Sequence, residues 1–483
     1  MSALPVTAHA RRWWTLGVLS VAALMLTLDA TVINIALPRA QLDIGFSSAN
    51  RQWLITSYAL AFGTLLLLGG RLSDLWGRRV SLYVSLIGFA VASAAGGLAK
   101  TFSVLVAARA VQGIFAALLA PAVLATLTTT FEGPRERARA FSYYGAVTGS
   151  GAAIGLLLGG ALTQWASWRW CLFINVVFAG VALVGVALFV HEGPIKDHTH
   201  LDVLGTLLAS GGLFFLVFGL SHAVTTNWSN PETWGSLVVA GALLVLFTLW
   251  QRHSSHPLLP LRLLLNRIRG GSLVALFITN FAVFGISLFL VYYLQGVLGY
   301  SPMRTGVAFL PMVVALAFSA FIASARLQAK VGPRPLVPTG MVIAMMGTVL
   351  FTRLDPNAHY MSAVLPGLVL TGLGLGLIFA PAVASATAGV SVADAGASSA
   401  LVNTAGQIGG SVGAALLNTI AVSATARAVG GSTALLLPPS ATVHGYVIAF
   451  WWAAGFFGVG AVVTFGVLES GVPDLDSDRV MVL

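Results

Sequence analysis

Leu26-Thr-Leu-Asp-Ala-Thr-Val-Ile-Asn-Ile-Ala-Leu-Pro38 closes the first long apolar run of the chain, which begins at Trp13. The fold turns on how this run is read. Arg11 and Arg12 precede it, as basic residues precede the apolar region of a secretory signal. A signal, however, ends after a short apolar region at a small-residue cleavage site. This run lacks a clear cleavage site, continues through Asp29 to Pro38, and is followed by many more runs of similar length. It reads as a first membrane span with a carboxylate inside it. Placing an acid at a bilayer centre costs about 2.5–3.5 kcal/mol on insertion scales, so such a residue is paired, solvated by a cavity, or used.

The rest of the chain agrees with a membrane reading. Of 483 residues, 57% are hydrophobic and 8% charged, against about 25% charged in soluble domains. Continuous apolar runs of roughly 20 residues, the length that crosses a hydrocarbon core, indicate α-helical spans. A β-barrel would alternate instead. We expect fourteen spans, the first at 13–37 and the last at 443–468. If the N-terminus is cytoplasmic, seventeen Lys and Arg fall on the inner side and seven on the outer, with Arg51 among the outer ones and Arg109 inside a span. This bias places both termini inside, in the plasma (inner) membrane. It also accounts for the net charge of +10 through anionic lipid, without nucleic acid. Cys171 is the only cysteine and has no metal-ligand spacing around it. No metal, cofactor or enzyme constellation of acids, histidines and nucleophiles is expected.

Two connections, Gly193–Leu201 and Gln251–Gly270, divide the chain. The expected domains are 1–192, a six-helix bundle; 193–270, two additional spans with linkers; 271–470, a second six-helix bundle; and 471–483, a cytoplasmic tail. A leucine-rich piece with Arg262, Arg267 and Arg269 is expected to lie along the inner interface. Two facing bundles suggest a cavity at the midplane.

Three motifs carry chemistry. Gly70-Arg-Leu-Ser-Asp-Leu-Trp-Gly-Arg-Arg79 joins the second and third spans. Gly70 and Gly77 supply backbone freedom in a tight turn, and Asp74, Arg78 and Arg79 can form a charge cluster. That cluster is either an ordinary positive loop or a latch that holds one conformation. Leu105-Val-Ala-Ala-Arg-Ala-Val-Gln-Gly113 sets Arg109 and Gln112 on one helix face. Arg109 either snorkels to the outer interface or meets an acid. By subtraction, Asp29 is the one acid of fifteen that lies well inside a span, which makes the two natural partners. The pair is either a static buried ion pair that fixes helix packing or a proton-exchanging one, since the partner favours a charged carboxylate and burial a neutral one. Gly145, Gly149, Gly151, Gly155, Gly159 and Gly160 give the fifth span a small-residue face for close helix packing.

Taken together, these stretches resemble the major facilitator superfamily, and within it the branch of 14-span drug:proton antiporters. Gly70–Arg79 is similar to the superfamily's loop between spans 2 and 3, and Leu105–Gly113 to its span 4 motif. Gly151-Ala-Ala-Ile-Gly-Leu-Leu-Leu-Gly-Gly160 resembles the antiporter motif of span 5, and Leu28–Pro38 the span 1 motif of the branch. Trp168-Arg-Trp170 with Phe173 and Asn175, and Gly396–Gly413 with Asn403 and Gln407, also resemble that branch. Leu156 departs from the pattern, standing where the span 5 motif usually has proline, so any bend there rests on glycine alone. The second-half counterpart of the loop (Arg326, Lys330, Gly332, Arg334) lacks the acid.

The resemblance implies an all-α major facilitator fold with two six-helix bundles and two extra central helices, and secondary active efflux by alternating access. It implies that Asp29 titrates with Arg109 as its coupling partner, that Gly70, Asp74, Gly77, Arg78 and Arg79 form the latch, and that Gly151, Gly155, Gly159 and Gly160 mark the antiporter helix. Asn34, Tyr58, Gln112, Asn280, Tyr292, Tyr293 and Gln407, being polar or amphipathic residues within spans, are expected to line the cavity. The expected partners are protons, membrane lipid and a small amphipathic substrate handled by a monomer. With a single internal acid, neutral or monocationic substrates are expected over dications. A dedicated exporter of one metabolite and a lipid or small-molecule transporter without proton coupling are the other readings.

Overall fold

The computed structural model describes residues 8–131, 134–191, 202–225, 230–254, 257, 266–323, 327–387, 395–429 and 438–468. The leucine-rich piece at 258–265, Arg262, Arg326 and the tail at 471–483 lie outside them. The long elements are all helices: α1 (Ala8–Ile44), α2 (Trp53–Trp76), α3 (Arg78–Gly97), α4 (Phe102–Thr130), α5 (Pro134–Trp165), α6 (Trp170–Phe189), α7 (Val203–Thr225), α8 (Pro231–His253), α9 (Arg267–Tyr292), α10 (Pro302–Ile322), α11 (Pro333–Phe351), α12 (Leu365–Thr387), α13 (Ala395–Ala428) and α14 (Pro439–Val467). Thirteen are long and apolar enough to cross a membrane. In the other, α2, the described apolar stretch Trp53–Leu66 is shorter.

One feature differs from the sequence expectation. α1 does not stop at Pro38 but runs on to Ile44. A proline inside a helix removes a single backbone donor, and the apolar residues on both sides keep packing. α9 extends through one π turn, Tyr293–Val297, and Tyr293 is fully buried with its hydroxyl donating to the Asp355 carbonyl at 2.7 Å.

α1 to α6 pack on one another, chiefly as α2 on α4, α3 on α4 and α6, and α1 on α5 and α6. α9 to α14 do likewise, as α9 on α13, α10 on α12, and α11 on α12 and α14. α7 and α8 form a hairpin, with α7 resting on α2 and α13. The two groups meet mainly through α2 on α13 and α5 on α10. Valines and leucines on the outer faces of α3, α6, α8 and α14 remain exposed, Val184 and Val462 among them. In a lipid-facing protein such residues need no further partner.

Glycine permits the closest approaches. A Cβ on Gly113 would lie 2.9 Å from that of Ala61 and meet the Tyr58 carbonyl, and one on Gly69 would strike the backbone of Ala117. α2 and α4 therefore lie backbone to backbone. Of the two glycines expected to free the α2–α3 turn, Gly70 lies within α2, where a Cβ would have ordinary room beside Pro121, 3.6 Å away. The α2–α3 turn does require glycine at Gly77, with φ 83° and ψ 148°. Gly332, before α11, repeats the device with φ 72° and ψ −178°, as two related halves would. This region costs a residue with a side chain about 1–3 kcal/mol, so Gly77→Ala is expected to lower unfolding stability by about that amount. Thermal unfolding in detergent tests it, and an unchanged midpoint would show that the turn relaxes freely.

Candidate functional site

The ends of α2, α4 and α6 that hold Tyr58, Arg109 and Asn175 lie together. All three residues fall within about two turns of their helix starts. Asp29 of α1 faces them at 1% exposure, and Arg109 is equally buried. Arg109 Nη1 lies 2.6 Å from Asp29 Oδ2. It also donates to Gln112 Oε1 at 2.9 Å, while Arg109 Nε donates to the Leu54 carbonyl at 3.0 Å. The Tyr58 ring lies 4.4 Å from the guanidinium carbon, within cation–π range. The close seating of α4 on α2 through Gly113 is what lets Arg109 reach both Leu54 and Tyr58.

Asp29 Oδ1 has its own donors, Asn175 Nδ2 at 2.7 Å and Gln112 Nε2 at 3.2 Å. Gln112 Nε2 donates in addition to the Ser93 hydroxyl at 2.6 Å. One carboxylate thus accepts from α4 and α6, with α3 bracing the amide. Charge-assisted bonds of this kind are the strong ones, and leaving one member of a buried pair alone costs about 3–5 kcal/mol.

The α5 glycines act on the same turn of α1. A Cβ on Gly151 would meet Thr27 Oγ1 at 2.8 Å, one on Gly155 would overlap Thr31 Oγ1, and one on Gly159 would come within 3.0 Å of Val32 Cα. Gly160 faces the other way, onto Met303 of α10, whose Cα would lie 2.8 Å off. α5 stays one unbroken helix through Leu156, and the Leu156 carbonyl occupies the space that a Cβ on Gly306 would fill.

Of the expected latch residues, the two arginines each hold a contact. Arg78 Nη1 donates to Thr129 of α4 at 2.7 Å, and Arg79 Nη2 to the Ala187 carbonyl of α6 at 3.3 Å. Both contacts stay within α1–α6. The Asp74 side chain lies outside the described residues.

The expected cavity residues divide. Asn34, Asn280 and Gln407 are half-buried; the amides of Asn34 and Asn280 donate to their own helices, at Ala30 and Leu276, and Gln407 abuts Gly63 of α2. Of the other four, Tyr58, Gln112 and Tyr293 are buried in this conformation, and all four hold partners. Tyr58 and Gln112 are consumed by the Asp29 cluster, Tyr293 by Asp355, and Tyr292 by a second cluster around Arg51.

Arg51, counted among the outer charges, is 3% exposed. Its Nε donates to Asn418 Oδ1 at 2.9 Å and its Nη1 to the Tyr446 hydroxyl at 3.4 Å. The rings of Phe289, Tyr292 and Tyr446 lie 5.4, 4.3 and 5.5 Å from its guanidinium carbon. It pairs with no carboxylate among the described residues. Asn418 closes the same junction by donating to Gln52 Oε1 at 2.6 Å, and Tyr292 donates to Gln41. Gln295 Nε2 donates to the Ile35 carbonyl and the Met303 amide to Gln164. These contacts seal α1–α6 against α9–α14 at the face opposite the α2–α3 turn. No sequence signal singled out Arg51, since an arginine between Asn50 and Gln52 reads as a positive loop.

Trp168 and Arg169, noted only for their resemblance, both donate to Asp43, at 3.0 and 2.9 Å. Asp202 is buried at the start of α7, where Trp250 and Gln251 of α8 donate to it at 2.7 and 2.6 Å.

The model of the Major Facilitator Superfamily matches residues 19–414. Among curated relatives, the puromycin resistance protein of Streptomyces alboniger is 44% identical over 97% of this chain and 95% of that protein. The cephamycin export protein of Amycolatopsis lactamdurans is 38% identical over 83% of each, and the tetracenomycin C resistance and export protein of Streptomyces glaucescens 32% over 86% and 76%. Among solved structures, a bacterial homolog of the human lysosomal transporter Spinster, in an inward-facing conformation, superposes with a TM-score of 0.66 at 18% identity over 96% of this chain and 98% of that one. A peptide transporter of the POT family reaches 0.67 at 15% identity. These two likenesses are of fold.

Proposed function

The chain belongs to the Major Facilitator Superfamily, and from that premise we propose that it exports small amphipathic compounds, antibiotics among them, in exchange for protons. It is a membrane transporter and not an enzyme. The buried Asp29–Arg109 pair carries the coupling. Its carboxylate sits on the turn of α1 against which α5 is seated, and α5 also touches α10 across the junction. A change of charge on Asp29 therefore acts on a helix that contacts both groups. The proton arrives when the cavity opens outward and leaves to the cytoplasm when it opens inward, so the gradient drives substrate out. We read α2 as a fourteenth span, residues 1–192 and 271–470 as two six-helix bundles, 193–270 as the added helices, and both termini as cytoplasmic in the inner membrane of a monomer. On that orientation the Arg51 junction closes the outer face.

The names of the relatives favour one refinement. Puromycin, cephamycin and tetracenomycin C each label a separate protein, as dedicated exporters would be labelled. Purified protein in liposomes tests both points. An imposed pH gradient is expected to drive movement of a neutral or monocationic amphipathic antibiotic, and a protonophore to abolish it. Movement that persists unchanged without a gradient would overturn proton coupling. A panel of antibiotics separates the dedicated exporter, which moves one, from the multidrug exporter, which moves several.

A further inference from the structure

Asp29 needs different company in its two protonation states, and one of the groups that bond it is built for both. A carboxylate only accepts hydrogen bonds, whereas a carboxylic acid also donates one. Around Asp29 the charged or titratable groups are Arg109 from α4, Tyr58 from α2 and Cys171 from α6. Arg109 and Gln112 Nε2 only donate. Gln112 Oε1 is an acceptor, but it is already held by Arg109. Turning that amide would also withdraw its Nε2 from Ser93. The Cys171 thiol is engaged with Thr163.

Asn175 differs. It is fully buried, its Nδ2 donates to Asp29 Oδ1 at 2.7 Å, and its Oδ1 has no hydrogen-bond partner among the described residues. A buried amide oxygen without a donor is costly, by the desolvation penalty of the group. We propose that Asn175 is a two-state positioning residue: it donates through Nδ2 to the Asp29 carboxylate and, after a half-turn of its amide, accepts through Oδ1 from the protonated Asp29. The half-turn exchanges which amide atom lacks a partner, so each state holds one bond to Asp29 and one orphan. The proton comes from water in the cavity and leaves by it; Asn175 carries none. The inference rests on Asp29 titrating, as proposed above, and adds the residue that reads the titration.

The test is infrared difference spectroscopy on reconstituted protein after a pH jump, with carbon-13 in the side-chain carbonyl of asparagine. On acidification a protonated carboxyl band is expected to appear. With it, one asparagine carbonyl band is expected to move to lower frequency as its oxygen gains a hydrogen bond. Both changes are expected to vanish in Asp29→Asn. In Asn175→Leu the asparagine change is expected to vanish while the carboxyl band persists at higher frequency. Asn175→Thr, whose hydroxyl both donates and accepts, is expected to restore the band toward its original position and guards against misfolding of the leucine variant. Gradient-driven efflux by Asn175→Leu is expected to fall at least about tenfold, as loss of a hydrogen bond to a charged group implies. An Asp29 carboxyl band that titrates with no asparagine shift, or whose frequency ignores Asn175→Leu, overturns the inference and leaves coupling at Asp29 standing. A wild-type spectrum without an Asp29-dependent carboxyl band removes coupling at Asp29 and the inference together.

Discussion

Asp29→Asn, reconstituted in liposomes, is expected to lose efflux driven by an imposed pH gradient down to the level of empty vesicles. The substitution keeps the shape of the side chain and an oxygen for Arg109, which lies 2.6 Å from Asp29 in the native pair. It removes the carboxylate beside Arg109, the group proposed to exchange the proton. Substrate counterflow, which needs no gradient, is expected to continue, because alternating access itself does not require titration. The variant also leaves a buried guanidinium without its anion, at a cost of about 3–5 kcal/mol. Stability must therefore be followed separately. Asp29→Asn combined with Arg109→Gln removes both charges. It is expected to recover most of the lost thermal stability while efflux stays absent. If instead the single variant pumps against a gradient as the native protein does, Asp29 is not the coupling site and the pair is structural.

The second large effect is expected at the opposite kind of site, a cation without an acid among the described residues. Arg51→Ala removes two hydrogen bonds to Asn418 and Tyr446 and three ring contacts. Hydrogen bonds to charged groups contribute about 1.5–3 kcal/mol each, and cation–π contacts about 0.5–2 kcal/mol. Part of this returns as hydration when the junction parts, since an exposed arginine finds water. The remainder shifts the balance toward the state open at this face by about tenfold or more. Distances between spin labels at Trp165 and Met361, both exposed near this face, are expected to show a longer population in Arg51→Ala. Turnover is expected to fall, because one of the two alternating states is no longer held. A distance distribution identical to that of the native protein would show that α5 on α10, through Gly160 and Gly306, seals the junction without Arg51. Arg51→Lys separates charge from geometry. Lysine keeps the cation but not the planar fork that spans Asn418 and the rings, so it is expected to behave closer to alanine.

Some of this was legible without coordinates. The length of the apolar runs fixed the helices, because a lipid-embedded backbone must satisfy its own hydrogen bonds. Counting acids predicted that Asp29 and Arg109 would meet, since a buried charge demands a partner and only one was on offer. Glycine spacing in α5 marked a close-packing face. The chain by itself left open which helix that face would touch, and only the fold placed Gly155 on the turn of α1 beside Asp29 and Gly160 on α10. It also gave no sign of the hydrogen bonds that hold Arg51, Tyr292 and Tyr293, and saw in Asn175 only a family likeness. The reason is range. Apolar periodicity and charge cost are properties of neighbouring residues and of the surrounding lipid, and a sequence displays them directly. Arg51 and Asn418 are 367 residues apart, and Asp29 and Asn175 146, so their meeting depends on how whole helices are seated. What the sequence determined is that this protein lies in a membrane with one costly carboxylate among its spans. What the tertiary structure alone decided is the company that carboxylate keeps and the arginine cage that holds one face shut.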